Sequence, residues 1–261
     1  MLFKKRITLV IPCKNEEAAL YHLLAKVPSF VDEVLVVDNN SSDNTAQVAR
    51  NGGAKVFKEK RSVNGIGYGF AHQTGLKNAT GDYIVTMDGD NTYPVEAIEE
   101  IVTYMEKSNI DFVSCNRLPL TNKSSITLFR RLGIGILNLW IGLLYGYYFI
   151  DILTGMWVMR KNIAGKLKLK SGDWNFSPEV KLAALYHKDI RFSEYHIPYY
   201  VRINGISKLN VIKTGLSHFF FILERRLKVD NMLPKFPLKS YAYEALGTMK
   251  GFIALFLVKG N

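Results

Sequence analysis

Strands and helices alternate through the first 90 residues, and this alternation limits the fold more than any other feature of the chain. Apolar runs predict four buried strands, at residues 7–11, 34–37, 54–57 and 82–87. Polar residues typical of helix starts follow the first two strands, with Asn15 expected to cap one helix and Ser42 or Asp43 the next. Strict alternation indicates a mostly parallel, twisted sheet with helices on both faces. The sequence therefore predicts an α/β fold whose ligands lie beyond the carboxyl ends of the strands.

Two carboxylates, Asp88 and Asp90, directly follow the fourth predicted strand, with Gly89 between them. Side chains two residues apart face the same way on a pleated chain, so both can reach one hard cation. Packing does not account for two negative charges beside an apolar strand, because each needs pairing or solvent. Asp38 ends the second strand and is expected at the same edge of the sheet. The sequence predicts a crevice in which a metal ion holds a phosphate-bearing substrate.

The composition excludes a disordered chain and indicates an anionic partner. The 261 residues are 48% hydrophobic and 12% aromatic, which suits one large domain with a substantial core. A net charge of +11 fits nucleic acid, anionic lipid head groups or phosphorylated substrates. No nucleic-acid-binding module is recognised, so we expect no nucleic-acid partner. We expect Cys13 and Cys115 to be reduced core thiols, and no secretory signal is recognised before the first strand.

Five motifs, in the expected order, resemble those of family-2 glycosyltransferases. Two are Val-Ile-Pro-Cys-Lys-Asn-Glu-Glu from residue 10 and Val-Val-Asp-Asn-Asn-Ser-Ser-Asp-Asn-Thr from residue 36, and Asp88-Gly89-Asp90 resembles the family's D-x-D motif. Asp-Ile-Leu-Thr-Gly from residue 151 and Arg-Ile-Asn-Gly-Ile-Ser-Lys-Leu from residue 202 resemble the dolichol-phosphate mannose synthase branch. The resemblance covers roughly residues 5–212.

The resemblance implies a GT-A fold, a nucleotide-sugar donor and a divalent cation, Mg²⁺ or Mn²⁺. It implies that Asp88 and Asp90 hold the metal against the donor diphosphate. The chain departs from the family at Asn39 and Asn40, which stand where a second acid and a small residue are common. Thr92 stands where relatives commonly offer a Gln as a further metal ligand. By position, the nucleotide would contact Pro12, Asn15, Glu16 and, at its base or ribose, Asp38.

Three arginines are expected to contact phosphate in the crevice, because they can stabilise the charge that develops on a departing diphosphate. They are Arg117, Arg131 and Arg202, and Lys208 is a weaker candidate on the nucleotide side. For Arg117 a solvated surface position is the alternative. Zinc is not expected, since it would want His or Cys ligands here.

The acceptor decides whether a catalytic base is needed. A sugar hydroxyl would need an Asp or Glu to remove its proton, and Glu179 or Asp151 would be the candidate. Their alternative roles are a first-turn acid of a helix and the cap of a turn. A polyprenyl phosphate needs no base, because its second pKa lies near ~6 by analogy with phosphorylated side chains. The Gln-x-x-Arg-Trp motif of processive synthases is absent, which favours a single transfer.

The second half of the chain favours a lipid acceptor. Residues 132–150 contain no charge, follow Arg130 and Arg131, and match a bilayer span in length. Both flanks must serve one domain, so we favour a membrane-surface helix pair, or a helix packed on a partner, over a span; a buried core helix is the other alternative. The predicted organisation is a glycosyltransferase domain at 1–230, with a lipid-facing segment at 126–150, and an apolar tail at 231–261. Within the tail, 241–258 suits an interfacial anchor, core packing or dimerisation.

These expectations combine into one hypothesis. The chain is predicted to be an inverting, metal-dependent glycosyltransferase that moves one hexosyl unit from a nucleotide sugar, of GDP-mannose or UDP-glucose type, to a polyprenyl or dolichyl phosphate. It would act at the cytoplasmic face of the cell membrane. The alternatives are a family member with a saccharide hydroxyl as acceptor, a nucleotidyltransferase of the same architecture, and a non-catalytic membrane-associated scaffold. The sequence leaves the nucleotide, the sugar and the oligomeric state open.

Overall fold

A seven-stranded sheet forms the centre of the protein. The computed structural model describes residues 4–204 and 209–228. The strand order is β3-β2-β1-β4-β6-β5-β7, and β6 runs antiparallel to both of its neighbours while the other pairs are parallel. The predicted α/β fold with a mostly parallel sheet is therefore confirmed. The strands are β1 (Ile7–Cys13), β2 (Glu33–Asp38), β3 (Lys55–Lys58), β4 (Tyr83–Thr86), β5 (Phe112–Asn116), β6 (Trp157–Arg160) and β7 (Phe192–His196).

Helices cover both faces of the sheet, as alternating side chains on the strands require. On β1, which is buried throughout, Leu9 packs on one face with Leu20 and Ile101, whereas Val10 packs on the other face with Phe176. Two separate apolar cores result, one on each side of the sheet. The helices are α1 (Glu17–Leu24), α2 (Thr45–Asn51), α3 (Tyr68–Asn78), α4 (Ile98–Lys107), α5 (Leu128–Tyr145), α6 (Lys161–Ala164), α7 (Phe176–Leu185) and α8 (Val211–Lys228).

The first helix begins differently from the prediction. Asn15 does not cap α1, because Glu16 occupies the cap position and Asn15 has a left-handed backbone with φ 52°. Its side-chain oxygen instead accepts a hydrogen bond from the backbone N–H of Ser42, at 2.8 Å. Asn15 thus ties the end of β1 to the turn after β2, which is a long-range contact that local capping preference does not reveal.

Compared with the uncharged segment at residues 132–150, helix α5 begins four residues earlier and ends five residues earlier. Thr127 occupies the cap position, with its hydroxyl accepting from the N–H of Arg130, and Gly146 ends the helix with φ 75°. The inner face of α5 packs on α8, where the rings of Trp140 and Phe219 stack at 4.3 Å. The indole N–H of Trp140 also donates to the carbonyl of Phe219.

Helix α5 has the length and apolarity of a membrane span, with 18 residues and a mean hydropathy of 1.3. However, the segment leaves the sheet at β5 and returns at β6, and these strands are hydrogen-bonded neighbours. A single crossing of a bilayer would separate two adjacent strands of one sheet. One third of the helix is buried against the domain, so α5 lies along the protein.

The two cysteines agree with their predicted state, since Cys13 and Cys115 are free and buried. Cys115 lies wholly in the core, and burial raises the pKa of its thiol above the ordinary range. Two sequence predictions, Lys208 and the apolar helix at 241–258, lie outside the described residues.

Candidate active site

A cleft of about 420 Å³ opens at the edge of the sheet where β1, β4 and β5 end. Because β6 is antiparallel, its amino end meets the same edge, and Gly155 just before it also lines the cleft. This is the position that the parallel arrangement predicts for a ligand. Asp88 and Asp90 line the cleft, within the wall that this edge forms.

Close packing holds the Asp88-Gly89-Asp90 segment in place. A β-carbon on Gly89 would lie 2.4 Å from the Sγ of Cys13, and one on Gly155 would lie 2.5 Å from an oxygen of Asp88. Both glycines therefore allow approaches that any side chain would prevent. Burial, and then the charge of Asp90, raise the pKa of Asp88 to about 7. A cation between the two carboxylates would remove this repulsion.

Asp90 is held by two side chains. Its Oδ1 accepts a hydrogen bond from the Thr92 hydroxyl at 2.6 Å, and its Oδ2 is paired with Nη1 of Arg202 at 3.2 Å. The other terminal nitrogen of Arg202 donates to both carboxylate oxygens of Glu16, at 2.7 Å each. Thr92, which departs from the family pattern, thus orients the carboxylate of Asp90.

The donor set fits a hard divalent cation. Asp88 and Asp90 offer only carboxylate oxygens, the ligands that Mg²⁺ and Mn²⁺ prefer. Within residues 4–204 and 209–228, no group of three or more His, Cys, Asp or Glu side chains is arranged to hold a metal. Phosphate oxygens and water would complete the coordination. Asp88 and Asp90 would hold a cation whose charge stabilises a departing diphosphate.

Arg117 and Asp151 form a buried, bidentate ion pair. Nε of Arg117 lies 2.6 Å from Oδ2 of Asp151, and Nη2 lies 3.0 Å from Oδ1. The guanidinium also stacks over the Tyr199 ring, at 5.0 Å from its centroid. Burial tends to raise the pKa of Asp151, but the charge and hydrogen bonds of Arg117 outweigh it and the pKa is lowered. Arg117 lines the cleft and Asp151 lies behind it, so Asp151 serves to hold Arg117 there.

The phosphate contact expected of Arg131 stays a prediction, because its neighbour Arg130 lines the cleft in its place. Arg130 lines the cleft, whereas Arg131 is not among the lining residues, and its Nε is buried without a hydrogen-bond partner in the described part of the chain. Both arginines lie in the first turn of α5, where each residue rotates the side-chain direction by about 100°. The starting point of the helix therefore decides which arginine faces the cleft. Arg202 lines the cleft, and its contact with phosphate stays a prediction.

Glu179 is engaged away from the cleft. Its carboxylate accepts hydrogen bonds from the backbone N–H groups of Lys170 and Ser171, the shortest at 2.8 Å, and it is 4% exposed. The residue therefore supports the turn that precedes α7 and does not face a substrate. This arrangement favours the structural role over that of a base.

On the nucleotide side, the wall is formed by Asn39 rather than Asp38. Asp38 is 5% exposed and its Oδ1 accepts from the N–H of Ser41, at 2.9 Å. Asn39 lines the cleft, and its amide donates to the carbonyl of Glu59. Contact of Asp38 or Asn15 with the nucleotide stays a prediction, because neither is a lining residue. The lining residues here include Pro12, Lys14, Glu16, Gly65, Ile66 and Gly67.

Four residues that line the cleft are not among the predicted site residues: Leu153, Trp174, Ser177 and His218. We call their part of the cleft the distal end, because it comes from the second half of the chain. Behind it, the ammonium of Lys181 is fully buried and donates to the carbonyls of Ile152 and Thr154, at 2.6 and 2.7 Å. Burial lowers the pKa of Lys181 to about 7. The signal that could have pointed here is Lys181, a basic residue inside the mostly apolar helix α7.

Comparison with known proteins settles the family. A model of "Glycosyl transferase family 2" matches residues 8–164, more than half of the chain. The chain belongs to glycosyl transferase family 2. This match contains the D-x-D segment, the cleft wall at Pro12 and the Arg117–Asp151 pair described above. Membership in a family of glycosyltransferases weighs against the scaffold alternative.

Two archaeal relatives extend over most of the chain. A low-salt glycan biosynthesis hexosyltransferase, Agl6, of Haloferax volcanii is 26% identical over 224 residues, which is 83% of this chain and 53% of that protein. A dolichol-phosphate mannosyltransferase of Pyrococcus furiosus is 24% identical over 265 residues, 98% of this chain and 73% of that protein. The chain spans about half the length of several curated relatives that it matches.

Solved structures share the fold. Glucosyl-3-phosphoglycerate synthase of Mycobacterium tuberculosis, in complex with UDP, superposes with a TM-score of 0.63 at 19% identity, over 85% of this chain and 80% of that chain. Mannosyl-3-phosphoglycerate synthase of Rubrobacter xylanophilus gives a TM-score of 0.65 at 19% identity, over 92% and 80%. These likenesses confirm the GT-A fold that the sequence motifs implied.

Proposed function

We propose that the chain transfers a single hexosyl unit from a nucleotide sugar to a polyprenyl or dolichyl phosphate, with inversion and with Mg²⁺ or Mn²⁺. The observation that carries this proposal is the set of acids in the cleft. Among the described lining residues, the carboxylates are Glu16, Asp88 and Asp90. Glu16 and Asp90 are paired with Arg202, and Asp88 belongs to the cation site. A hydroxyl acceptor would need a further base, whereas an ionised phosphate needs none.

The cations of the cleft support a phosphate acceptor beside the donor diphosphate. Arg117, Arg130 and Arg202 all line the cleft, and the planar guanidinium group suits bidentate contact with phosphate. Arg130 stands in the first turn of α5, so the phosphate end of a lipid would meet the start of this helix. The synthase structure in complex with Mn²⁺ and UDP, and the mannosyltransferase relative, agree with this assignment of donor and cation.

The outer faces of α5 and α8 supply an apolar surface for the lipid. Soluble proteins seldom expose a large contiguous apolar patch, and such patches mark binding surfaces. Here both helices carry apolar side chains on the inner and on the outer face, and those on the outer face are exposed. We infer that this surface rests on the cytoplasmic face of the membrane. Its exposed members are Leu128, Phe129, Leu132, Ile136, Leu139 and Leu143 on α5, and Ile212, Leu216, Phe220 and Leu227 on α8.

Replacing Leu143 by glutamate is expected to weaken membrane binding about tenfold, because a charge would enter the apolar contact. The measurement is co-flotation with vesicles of mixed neutral and anionic phospholipid. Tyr21→Glu on α1 is the matched control, since Tyr21 is exposed to the same degree, 66% against 67% for Leu143. Equal flotation of both variants would refute the proposed surface.

The transfer itself is tested with purified protein, Mg²⁺ or Mn²⁺, a polyprenyl phosphate and a panel of labelled nucleotide sugars. We expect label in the organic phase with one nucleotide sugar, and loss of that signal when the cation is chelated. Mild acid should then release the free hexose, as expected for a glycosyl phosphate. Label that stays in water-soluble product with added saccharide would contradict the lipid acceptor.

A small phosphorylated acceptor is the second candidate. One structural neighbour is a synthase crystallised with phosphoglyceric acid, and the same arginines of the cleft would suit a phosphate group on a small acceptor. Such an acceptor reacts through a hydroxyl and would leave the apolar helix faces unused. Adding phosphoglycerate to the panel discriminates, since its product stays in the aqueous phase.

A further inference from the structure

The distal end of the cleft contains a histidine that the transfer chemistry does not use. His218 lies on the inner face of α8, is 2% exposed and lines the cleft together with Trp174 and Ser177. Its Nδ1 is 2.9 Å from Oδ1 of Asn175. Within the described residues, no hydrogen bond is made by its other ring nitrogen, Nε2.

The hydrogen-bond network fixes which nitrogen of His218 carries the proton. The amide nitrogen of Asn175 lies 3.3 Å from Oδ2 of Asp173 and 3.0 Å from the hydroxyl of Ser217. An ionised carboxylate can only accept, so the NH₂ group of Asn175 must point to Asp173. The amide oxygen then faces His218, and Nδ1 must be the donor. Nε2 is left with a lone pair in the cleft.

The ring stays neutral at ordinary pH. Burial, and then the nearby charge of Lys181, lower the pKa of His218 to about 4. A neutral, nearly buried Nε2 is an acceptor without a donor, and leaving such an atom unpaired is unfavourable. An ionised phosphate cannot fill this position, because it offers lone pairs rather than a proton.

The neighbouring rings suit a sugar. The rings of Tyr68 and Trp174 lie 4.7 Å apart with a 37° tilt, and both line the cleft beside His218. Aromatic faces cover the C–H surfaces of a hexose, and its hydroxyl groups are the donors that Nε2 lacks. The side chain of Tyr68 also interacts with that of Asp88, so this aromatic pair lies beside the proposed cation site.

We propose that His218 accepts a hydrogen bond from one hydroxyl of the donor's hexosyl unit, and that it thereby helps to select the donor sugar. The inference rests on the proposed use of a nucleotide sugar and is independent of the acceptor. Asn175 is a positioning residue, since it fixes the tautomer of His218 without touching the sugar.

Titration with donor nucleotides in the absence of an acceptor tests the role of His218 directly. Calorimetric titration of the full chain with UDP, GDP, UDP-glucose and GDP-mannose, in Mn²⁺, compares wild type with His218→Ala and His218→Gln. We expect His218→Ala to weaken the preferred nucleotide sugar about tenfold or more and to leave the matching nucleoside diphosphate within about twofold. His218→Gln, which keeps an acceptor, should recover part of the affinity. His22→Ala, at an exposed histidine of α1, is the matched control.

Deoxy donors identify the hydroxyl. Wild type should lose affinity for one deoxy analogue of the preferred donor, and His218→Ala should bind that analogue and the parent equally. Equal weakening of sugar and nucleoside diphosphate, no weakening, or no binding of nucleotide sugars by wild type would each overturn the proposal. Thermal melts show whether a variant is folded. A failed lipid-transfer assay leaves these binding results intact, so the two proposals fail separately.

Discussion

Replacing Asp88 by asparagine is expected to lower hexosyl transfer by about 10³-fold, equivalent to about 4 kcal/mol of transition-state stabilisation. The asparagine keeps the shape of the side chain but removes one of the two charges that hold the cation. The folded protein should be at least as stable as wild type, because burial and Asp90 already raise the pKa of Asp88 to about 7. Steady-state transfer rates and thermal melts of the same preparations make the comparison.

The matched control is Asp189→Asn. Asp189 is exposed in the turn before β7, at the opposite edge of the sheet from the cleft, and the same chemical change there should leave transfer unaltered. Chelation of divalent cations should reduce wild-type transfer to the level of Asp88→Asn, and added Mn²⁺ should restore wild type but not the variant. Transfer by Asp88→Asn within about threefold of wild type would contradict a role of this carboxylate in the cation site.

Replacing Asp151 by asparagine is expected to destabilise the protein by about 3–5 kcal/mol, because it leaves the buried guanidinium of Arg117 without its counter-charge. The melting temperature should fall by roughly 10 °C at neutral pH. Folding lowers the pKa of Asp151, so the pair contributes stability above the unfolded-state pKa of about 3.9 and loses it as the pH falls below that value. The difference between wild type and variant should therefore shrink toward pH 3.

A double variant separates stability from catalysis at this pair. Arg117→Met with Asp151→Leu replaces both buried charges by apolar groups of similar size, which should recover most of the melting temperature. Transfer should stay low, because the cleft has lost the Arg117 guanidinium. If the double variant transferred hexose at the wild-type rate, Arg117 would not contact the substrate.

The central features of the site could be predicted because they depend on local pattern. Because an apolar run precedes it, the Asp88-Gly89-Asp90 segment can be placed at a strand end from the sequence alone. Strict alternation of strands and helices likewise predicts the parallel arrangement of β1 to β4. Alternation does not predict β6, because this strand follows a long excursion and lies antiparallel between β4 and β5. Its own sequence does not indicate which strands it pairs with.

The remaining site residues depend on how elements are rotated and paired. Arg130 and Arg131 are adjacent in sequence, and the helix start at Leu128 decides which one faces the cleft. His218 sits in an apolar run, so its function appears only when the inner face of α8 meets Asn175. Glu179 looks like a first-turn acid, but its bonds to the backbone of Lys170 and Ser171 are set by a turn that no periodic pattern describes.

The path of the chain between β5 and β6 has a further consequence. Residues 118–150 leave and re-enter the sheet at two hydrogen-bonded neighbours, and the Arg117–Asp151 pair fastens the two ends of this excursion together. Surface excursions of this kind tolerate changes in length because the sheet register does not depend on them. The length of the excursion can therefore change without disturbing the sheet, provided that the face of α5 that packs on α8 is kept. An exchange of the excursion between family members, with Arg117, Asp151 and this inner face kept, would test whether the segment selects the acceptor.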